Sequence, residues 1–342
     1  MILSQKSLAS KTANFKLEKL FTVAQDSPLK IHVFSNDNFA YLNNENELLF
    51  KTTEREISYG KFETGKYFLN ISFEMLADNI FITDNKDAEF LKMLDNQGKL
   101  FKLPLGKYDE ILNTLTFLTK DQVVFYEARK LSLYSISQNK YLWSKKYSFD
   151  IHGKIAFNKE YLVTTDGIYL LVFSRKNGEL KWKKRINKDY SQTVGDYPDG
   201  IWNICVTKNK IFFININFVY CINLNDGKVL WKKKKSATQW TNVFLYKDLY
   251  VVDMGDLVAF DVNSGKIIWR LDMDFTIRIK FKNYIMAEGL EEEKYKNINL
   301  DTGKVMYRNM GIKFGSYDSF SFEASRNNLY FFHKGTVYKV KF

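Results

Sequence analysis

Residues 260–269 read FDVNSGKIIW, and this pattern recurs along much of the 342-residue chain. INLNDGKVLW ends at Trp231, FSRKNGELKW at Trp182, and INLDTGKVMY puts Tyr307 in the same place, so in each copy an aromatic follows a glycine by four. YSISQNKYLW, ending at Trp143, has Asn139 where the others have glycine. NNENELLF, with Asn46 and Phe50, is a weaker copy, and MLDNQGKLFK keeps Gly98 but moves its aromatic to Phe101. A recurring unit restricts the fold strongly, because every copy must form the same supersecondary element and bury the same face.

The physical chemistry of the unit points to a β-hairpin. A short hairpin loop needs one residue at positive φ, which glycine accepts freely and asparagine best among the rest. Four residues before the turn position stands a short polar side chain, Asp261, Asn223, Ser174, Ser135 or Asn299, able to hold the N–H groups of the turn. Four of the six tryptophans occupy the aromatic position, where a large flat side chain can wedge between neighbouring sheets.

The turn positions 46, 98, 139, 178, 227, 265 and 303 are spaced by 52, 41, 39, 49, 38 and 38 residues, close to the period of a four-stranded propeller blade. In the sixth unit TNVFLY, LYVVDM, LVAFDV and KIIWRL supply four strands. Past the seventh turn FSFEAS, NLYFFH and TVYKVKF supply only three. A strand from residues 9–18 is expected to complete that last sheet and join both ends of the chain. The expected fold is therefore all-β: one β-propeller domain over residues 1–342, with eight four-stranded blades favoured and seven as the alternative.

LVAFDVNSGKIIW, VYCINLNDGKVLW and NINLDTGKVMY resemble the quinoprotein-type (PQQ-like) propeller repeat, and residues 125–310 carry the resemblance best. The resemblance implies the propeller fold. It leaves chemistry open, since that family holds dehydrogenases with pyrroloquinoline quinone and calcium, an outer-membrane assembly lipoprotein without catalysis, and scaffolds. The dehydrogenases carry a bridge between adjacent cysteines. Here Cys205 and Cys221 are far apart, and no convergent carboxylate set for calcium stands out. The first cysteine is also too late in the chain for a lipid anchor unless residues once preceded Met1. His32, His152 and His333 fall in three different units, without a serine or cysteine partner or a metal-ligand spacing. No catalytic residue, cofactor or metal is expected.

The 51 Lys and Arg exceed the 39 Asp and Glu, for a net charge of +12, which favours an anionic partner. Abundant Lys and Asn beside Ile, Phe and Tyr would also follow from an AT-rich genome. With Met1 as the native start, no signal segment is recognisable and the chain is expected in the cytoplasm; no apolar run suits a membrane span. WSKK (143–146), WKKR (182–185) and WKKKK (231–235) occupy equivalent outer-strand positions. Lys183, Lys184, Arg185, Lys232, Lys233, Lys234 and Lys235 should thus form a basic arc, protecting sheet edges and steering an acidic protein. Three long connections, 52–67, 187–200 and 288–295, should share one face. In the second, Tyr190, Asp196, Tyr197 and Asp199, followed by Trp202, have the composition of a protein-binding anchor. The expected function is a non-catalytic scaffold for a protein partner, of which a bacterial toxin neutralised by an immunity protein is one form. Nucleic acid is the weaker partner, because the arc lacks aromatics free to stack on bases; a quinone-dependent oxidoreductase is the rival enzyme.

Overall fold

The structure is a computed structural model. It describes residues 13–14, 16–22, 31–34, 36–42, 47–61, 79–82, 91–103, 115–119, 121–185, 202–215, 217–235, 243–272, 275–289, 295–309, 320–325, 327–333 and 336–341. Among these residues there is no helix, and the strands form eight sheets.

Two strands come first, β1 (Ala13–Asn14) and β2 (Lys16–Thr22). Sheet one holds β3 (Ile31–Val33), β4 (Phe39–Leu42), β5 (Glu47–Lys51) and β6 (Glu56–Lys61). Sheet two holds β7 (Asn79–Ile82), β8 (Leu91–Asp95) and β9 (Leu100–Leu103). Sheet three has β10 (Thr116–Phe117), β11 (Gln122–Glu127), β12 (Lys130–Ser135) and β13 (Lys140–Lys146). Sheet four has β14 (His152–Phe157), β15 (Tyr161–Thr165), β16 (Tyr169–Ser174) and β17 (Leu180–Arg185). Sheet five has β18 (Trp202–Val206), β19 (Lys210–Ile214), β20 (Phe218–Asn223) and β21 (Val229–Lys234). Sheet six has β22 (Val243–Tyr246), β23 (Leu249–Asp253), β24 (Asp256–Asp261) and β25 (Ile267–Asp272). Sheet seven has β26 (Phe275–Phe281), β27 (Tyr284–Gly289), β28 (Tyr295–Asn299) and β29 (Val305–Asn309). Sheet eight has β30 (Phe320–Ala324), β31 (Leu329–His333) and β32 (Thr336–Lys341), completed by β2, which runs antiparallel to β32.

The sheets group into two compact units, Met1–Lys61 with Leu271–Phe342, and Phe62–Arg270. Within each, the core lies between successive sheets. Middle strands are buried on both faces and so read as unbroken apolar runs, such as KIFFI in β19 and LYVVD in β23. Leu133, Leu171 and Phe173 pack between sheets three and four, Val172, Phe213 and Ile222 between four and five, and Phe212, Tyr250 and Val258 between five and six. In the other unit Phe281, Phe322 and Phe331 join sheets seven and eight, and Val33, Phe39 and Tyr330 join one and eight. First strands of successive sheets touch, β14 with β18 and β18 with β22, which leaves the fourth strands outermost.

The repeated turn explains how the sheets interlock. Gly178, Gly227, Gly265 and Gly303 all have positive φ, as do Gly98 and Asn139. The N–H of Gly227 and of Gly265 each donates to the carbonyl four residues back, Asn223 and Asp261, at 2.9 Å. The Asp261 carboxylate accepts from the N–H of Asn263 and of Ser264, at 3.1 and 2.7 Å, as the side chain of Asn299 does from Asp301 and Thr302. The carbonyl just after that polar residue receives the indole N–H of the preceding sheet: Trp143 on Arg175 at 3.0 Å, Trp182 on Leu224 at 2.8 Å and Trp231 on Val262 at 3.5 Å. The indole ring then lies over the turn glycine. A Cβ on Gly178 would come 2.7 Å from the Trp143 ring, and one on Gly265 would come 2.7 Å from the Trp231 ring. Glycine is needed there both for its backbone angle and for the room it leaves.

Among the described residues seven sheets have four strands or more, so the alternative of seven four-stranded blades stands and the favoured eight does not. Sheet two shows three strands among the described residues, and the stretch ahead of it, 62–78, lies outside them. The copy at Asn46 is corrected. Asn46 lies outside the described residues and precedes β5 in the sequence, and the turn before the outermost strand is 52–55, where the Thr52 hydroxyl accepts from the N–H of Glu54 and of Arg55 at 3.1 and 3.0 Å. Residues 56–61 are therefore strand β6 rather than part of a long connection. A threonine-held turn needs no positive φ and carries no glycine to mark it. The strand expected within 9–18 is split: residues 13–14 pair with sheet seven, and β2 closes sheet eight.

Candidate partner-binding surface

The outer strands β13, β17 and β21 share a β-bulge. Register slips by one residue just ahead of the tryptophan, between Leu133 and Tyr134, Val172 and Phe173, and Cys221 and Ile222 of the neighbouring strands. The extra residue, Leu142, Lys181 or Leu230, has no partner opposite and is exposed; Tyr141 and Val229 turn outward beside it, whereas Leu180 packs against the core. Val229 and Leu230 are 50% and 46% exposed, Ile267 and Ile268 both 52%, and Tyr141 and Leu142 are also exposed. Aliphatic pairs thus face solvent just below the indoles. Sequence reasoning missed them, although a strictly alternating strand could not have placed Val229, Leu230 and Trp231 all inward.

The basic arc divides into committed and uncommitted lysines. Lys183 lies 2.7 Å from the Asp166 carboxylate and sits over the rings of Tyr169 and Phe149, at 4.2 and 4.4 Å. The Lys184 ammonium donates to the Gly227 carbonyl of the next sheet. Arg185 ends β17 and is exposed. Lys232 covers the ring of Phe218 at 3.6 Å and is 5.3 Å from that of Tyr220. Lys233 and Lys234 are exposed and have no ion-pair partner among the described residues. The aromatic faces beneath Lys183 and Lys232 are occupied by their own lysines, so they offer no platform for a base.

Lys235 departs from the expected exposed strip: it is 8% exposed. Its N–H donates to the Asn217 carbonyl at 2.8 Å, and its ammonium lies 3.4 Å from the Asn215 carbonyl. Burial pushes its pKa down and that of Asp253 up, while the attraction between the two opposes both shifts and is the weaker effect. In sheet six Arg270, the counterpart of Lys232, is exposed and paired to Asp256.

The remaining expected residues are less informative. Tyr190, Asp196, Tyr197 and Asp199 lie outside the described residues, as do 62–67 and 290–294; Trp202 begins β18, its backbone opposite Ile214. His32, His152 and His333 sit on β3, β14 and β31, in three separate sheets. Cys221 is buried, and burial pushes its thiol up to about 12; Cys205 is partly buried, and neither is in a disulfide. Among the described residues no group of three or more His, Cys, Asp or Glu is placed to hold a metal ion, and no helix is long and apolar enough to cross a membrane. An open cleft of about 610 Å³ lies beside the rim between sheets three and four, lined in part by Leu142, Arg175 and Lys181. The Arg175 guanidinium is already bonded there to the Asn158 carbonyl and the Gln122 side chain, at 3.3 and 3.0 Å.

Residues 216–304 match the family model described as outer membrane protein assembly factor BamB. No curated protein matches the chain. The crystal structure of BamB from Moraxella catarrhalis is similar with a TM-score of 0.59 at 13% identity, over 96% of this chain and 100% of that one. The computationally designed Ika8 protein is similar with a TM-score of 0.60 at 13% identity, over 95% of this chain and 99% of that one. At such identity the likeness establishes the fold, a propeller with seven four-stranded blades beside the sheet of β7 to β9. With its hairpin turns, glycines and interlocking tryptophans in place, the chain is an all-β propeller, and its residues 216–304 match a model of PQQ-like repeats.

Proposed function

We propose that this propeller is a non-catalytic scaffold that binds an acidic protein along the outer strands of sheets three to six. The observation that carries the reading is the pairing of uncommitted charge with exposed aliphatic surface: Lys233 and Lys234 point to solvent next to Val229 and Leu230 on the same strand. An interface needs apolar area that excludes water and charge that steers the encounter, and this strand offers both. The match of 216–304 to a model named for an assembly factor supports a role in handling other proteins. A toxin covered and neutralised by this surface is one partner of the required kind.

The test is the double variant Lys233→Ser/Lys234→Ser, with Lys235 left in place. Its unfolding free energy should stay within about 0.5 kcal/mol of the parent. Association with an acidic partner, followed by surface plasmon resonance at two salt concentrations, should slow and lose part of its salt dependence, with dissociation changed less. Association that is unchanged at low salt would return these lysines to plain edge protection.

A further inference from the structure

In sheet seven the chain itself adds a fifth strand: β1 lies parallel on the outer edge of β29, Ala13 opposite Arg308 and Asn14 opposite Asn309. Those partners are the fifth and sixth residues after the turn glycine, Gly303. Counted from Gly227, the same positions in sheet five are Lys232 and Lys233. The outer edge of β21 has no strand beyond it among the described residues. Its hydrogen-bonding pattern can be read from one contact. The N–H of Lys235 points inward to Asn217, and alternate N–H groups of a strand point to opposite edges, so those of Lys234 and Lys232 point outward.

We propose that this edge takes an extended acidic segment of the partner protein as a parallel fifth strand. The outward N–H groups of Lys232 and Lys234 would hold its backbone, the ammonium groups of Lys233 and Lys234 its carboxylates, and Val229 and Leu230 its apolar residues. The inference rests on the protein-binding reading above and adds the mode of attachment. Sheet five is favoured over its neighbours because Lys184 of β17 and Arg270 of β25 are bonded within the protein. A second copy is disfavoured as occupant, since pairing two β21 edges would set one lysine run against another.

The probe is a blocked seven-residue peptide alternating Glu and Val, titrated by fluorescence polarisation, with two controls: the same peptide N-methylated at alternate amides, and disordered polyglutamate. N-methylation should weaken binding by about tenfold or more, because it removes backbone hydrogen bonds and leaves charge unchanged. Lys234→Pro should do the same and Lys234→Ala less, since proline removes the outward N–H without breaking a bond to β20. The methylated peptide reads the same contact on the unaltered protein should the proline variant melt early. Equal binding of methylated and unmethylated peptides overturns strand addition. If polyglutamate still binds in that case, the acidic-partner reading survives alone; if neither probe binds, both fail. A dimer in light scattering that Lys234→Pro abolishes would give the edge to a second copy and also overturn the proposal.

Discussion

At Lys235 the lysine run stops being surface. The strand alternates, so Lys233 and Lys235 share the face of Trp231, but only Lys235 lies deep enough to be covered near Asp253. Replacing it by serine would leave Asp253 half-buried without its cation and the Asn215 carbonyl without a donor. Lys235→Ser is therefore expected to lower stability by about 1–3 kcal/mol, in contrast to its neighbours 233 and 234, as urea denaturation would show; a loss below that of Lys233→Ser would mean the burial is not energetically real. A one-letter run hides this difference, because four identical side chains carry no pattern from which depth could be inferred.

The hairpin is where the sequence was most legible. Glycine and tryptophan four apart fix a turn, a bulge and a lock on the next sheet, and sheets four, five and six follow the letters closely. Gly265→Ala tests this lock. The positive φ alone costs about 1 kcal/mol or more for a side chain, and the new Cβ would meet the Trp231 ring at 2.7 Å, whereas at Gly227 the nearest atom is the flexible Lys184 chain at 3.0 Å. Chemical denaturation should show Gly265→Ala less stable than Gly227→Ala by about 1 kcal/mol or more; equal losses would assign the whole effect to the backbone angle. Sheet one was illegible for the opposite reason. Its outer turn is held by a Thr52 hydroxyl, a device open to many sequences, while the more glycine-like Asn46 precedes β5 in the sequence rather than the outermost strand β6. The binding surface was half-readable: its charges follow from composition, its aliphatic pairs from a bulge that no single residue announces.

For the molecule as a whole, stability should depend on pH through Glu323. This carboxyl lies on β30 between Phe322 and Ala324, and burial raises its pKa from 4.5 to about 8. A raised folded-state value means that the folded protein holds the proton more tightly. The stabilisation is complete below about pH 4.5 and is lost as pH rises toward 8, at up to 1.4 kcal/mol per unit of pH from this one group. Glu323→Gln should flatten that slope and leave the variant the more stable of the two at pH 8, as thermal melts at pH 5 and 8 would establish; parallel pH profiles would exclude the residue as the source. The closure of sheet eight has a further consequence, for how the chain reaches this state. Thr22 on β2 meets Thr336 across 314 residues of sequence, so β2 must wait for a strand synthesised long after it. Contacts of such high order form late and slowly, and until β2 arrives the edge of β32 stands open on the nascent protein. A neighbouring chain's β2 fits that edge equally well. Crowding on a polysome therefore favours exchanged strands between chains, and dilution during refolding favours the closed monomer.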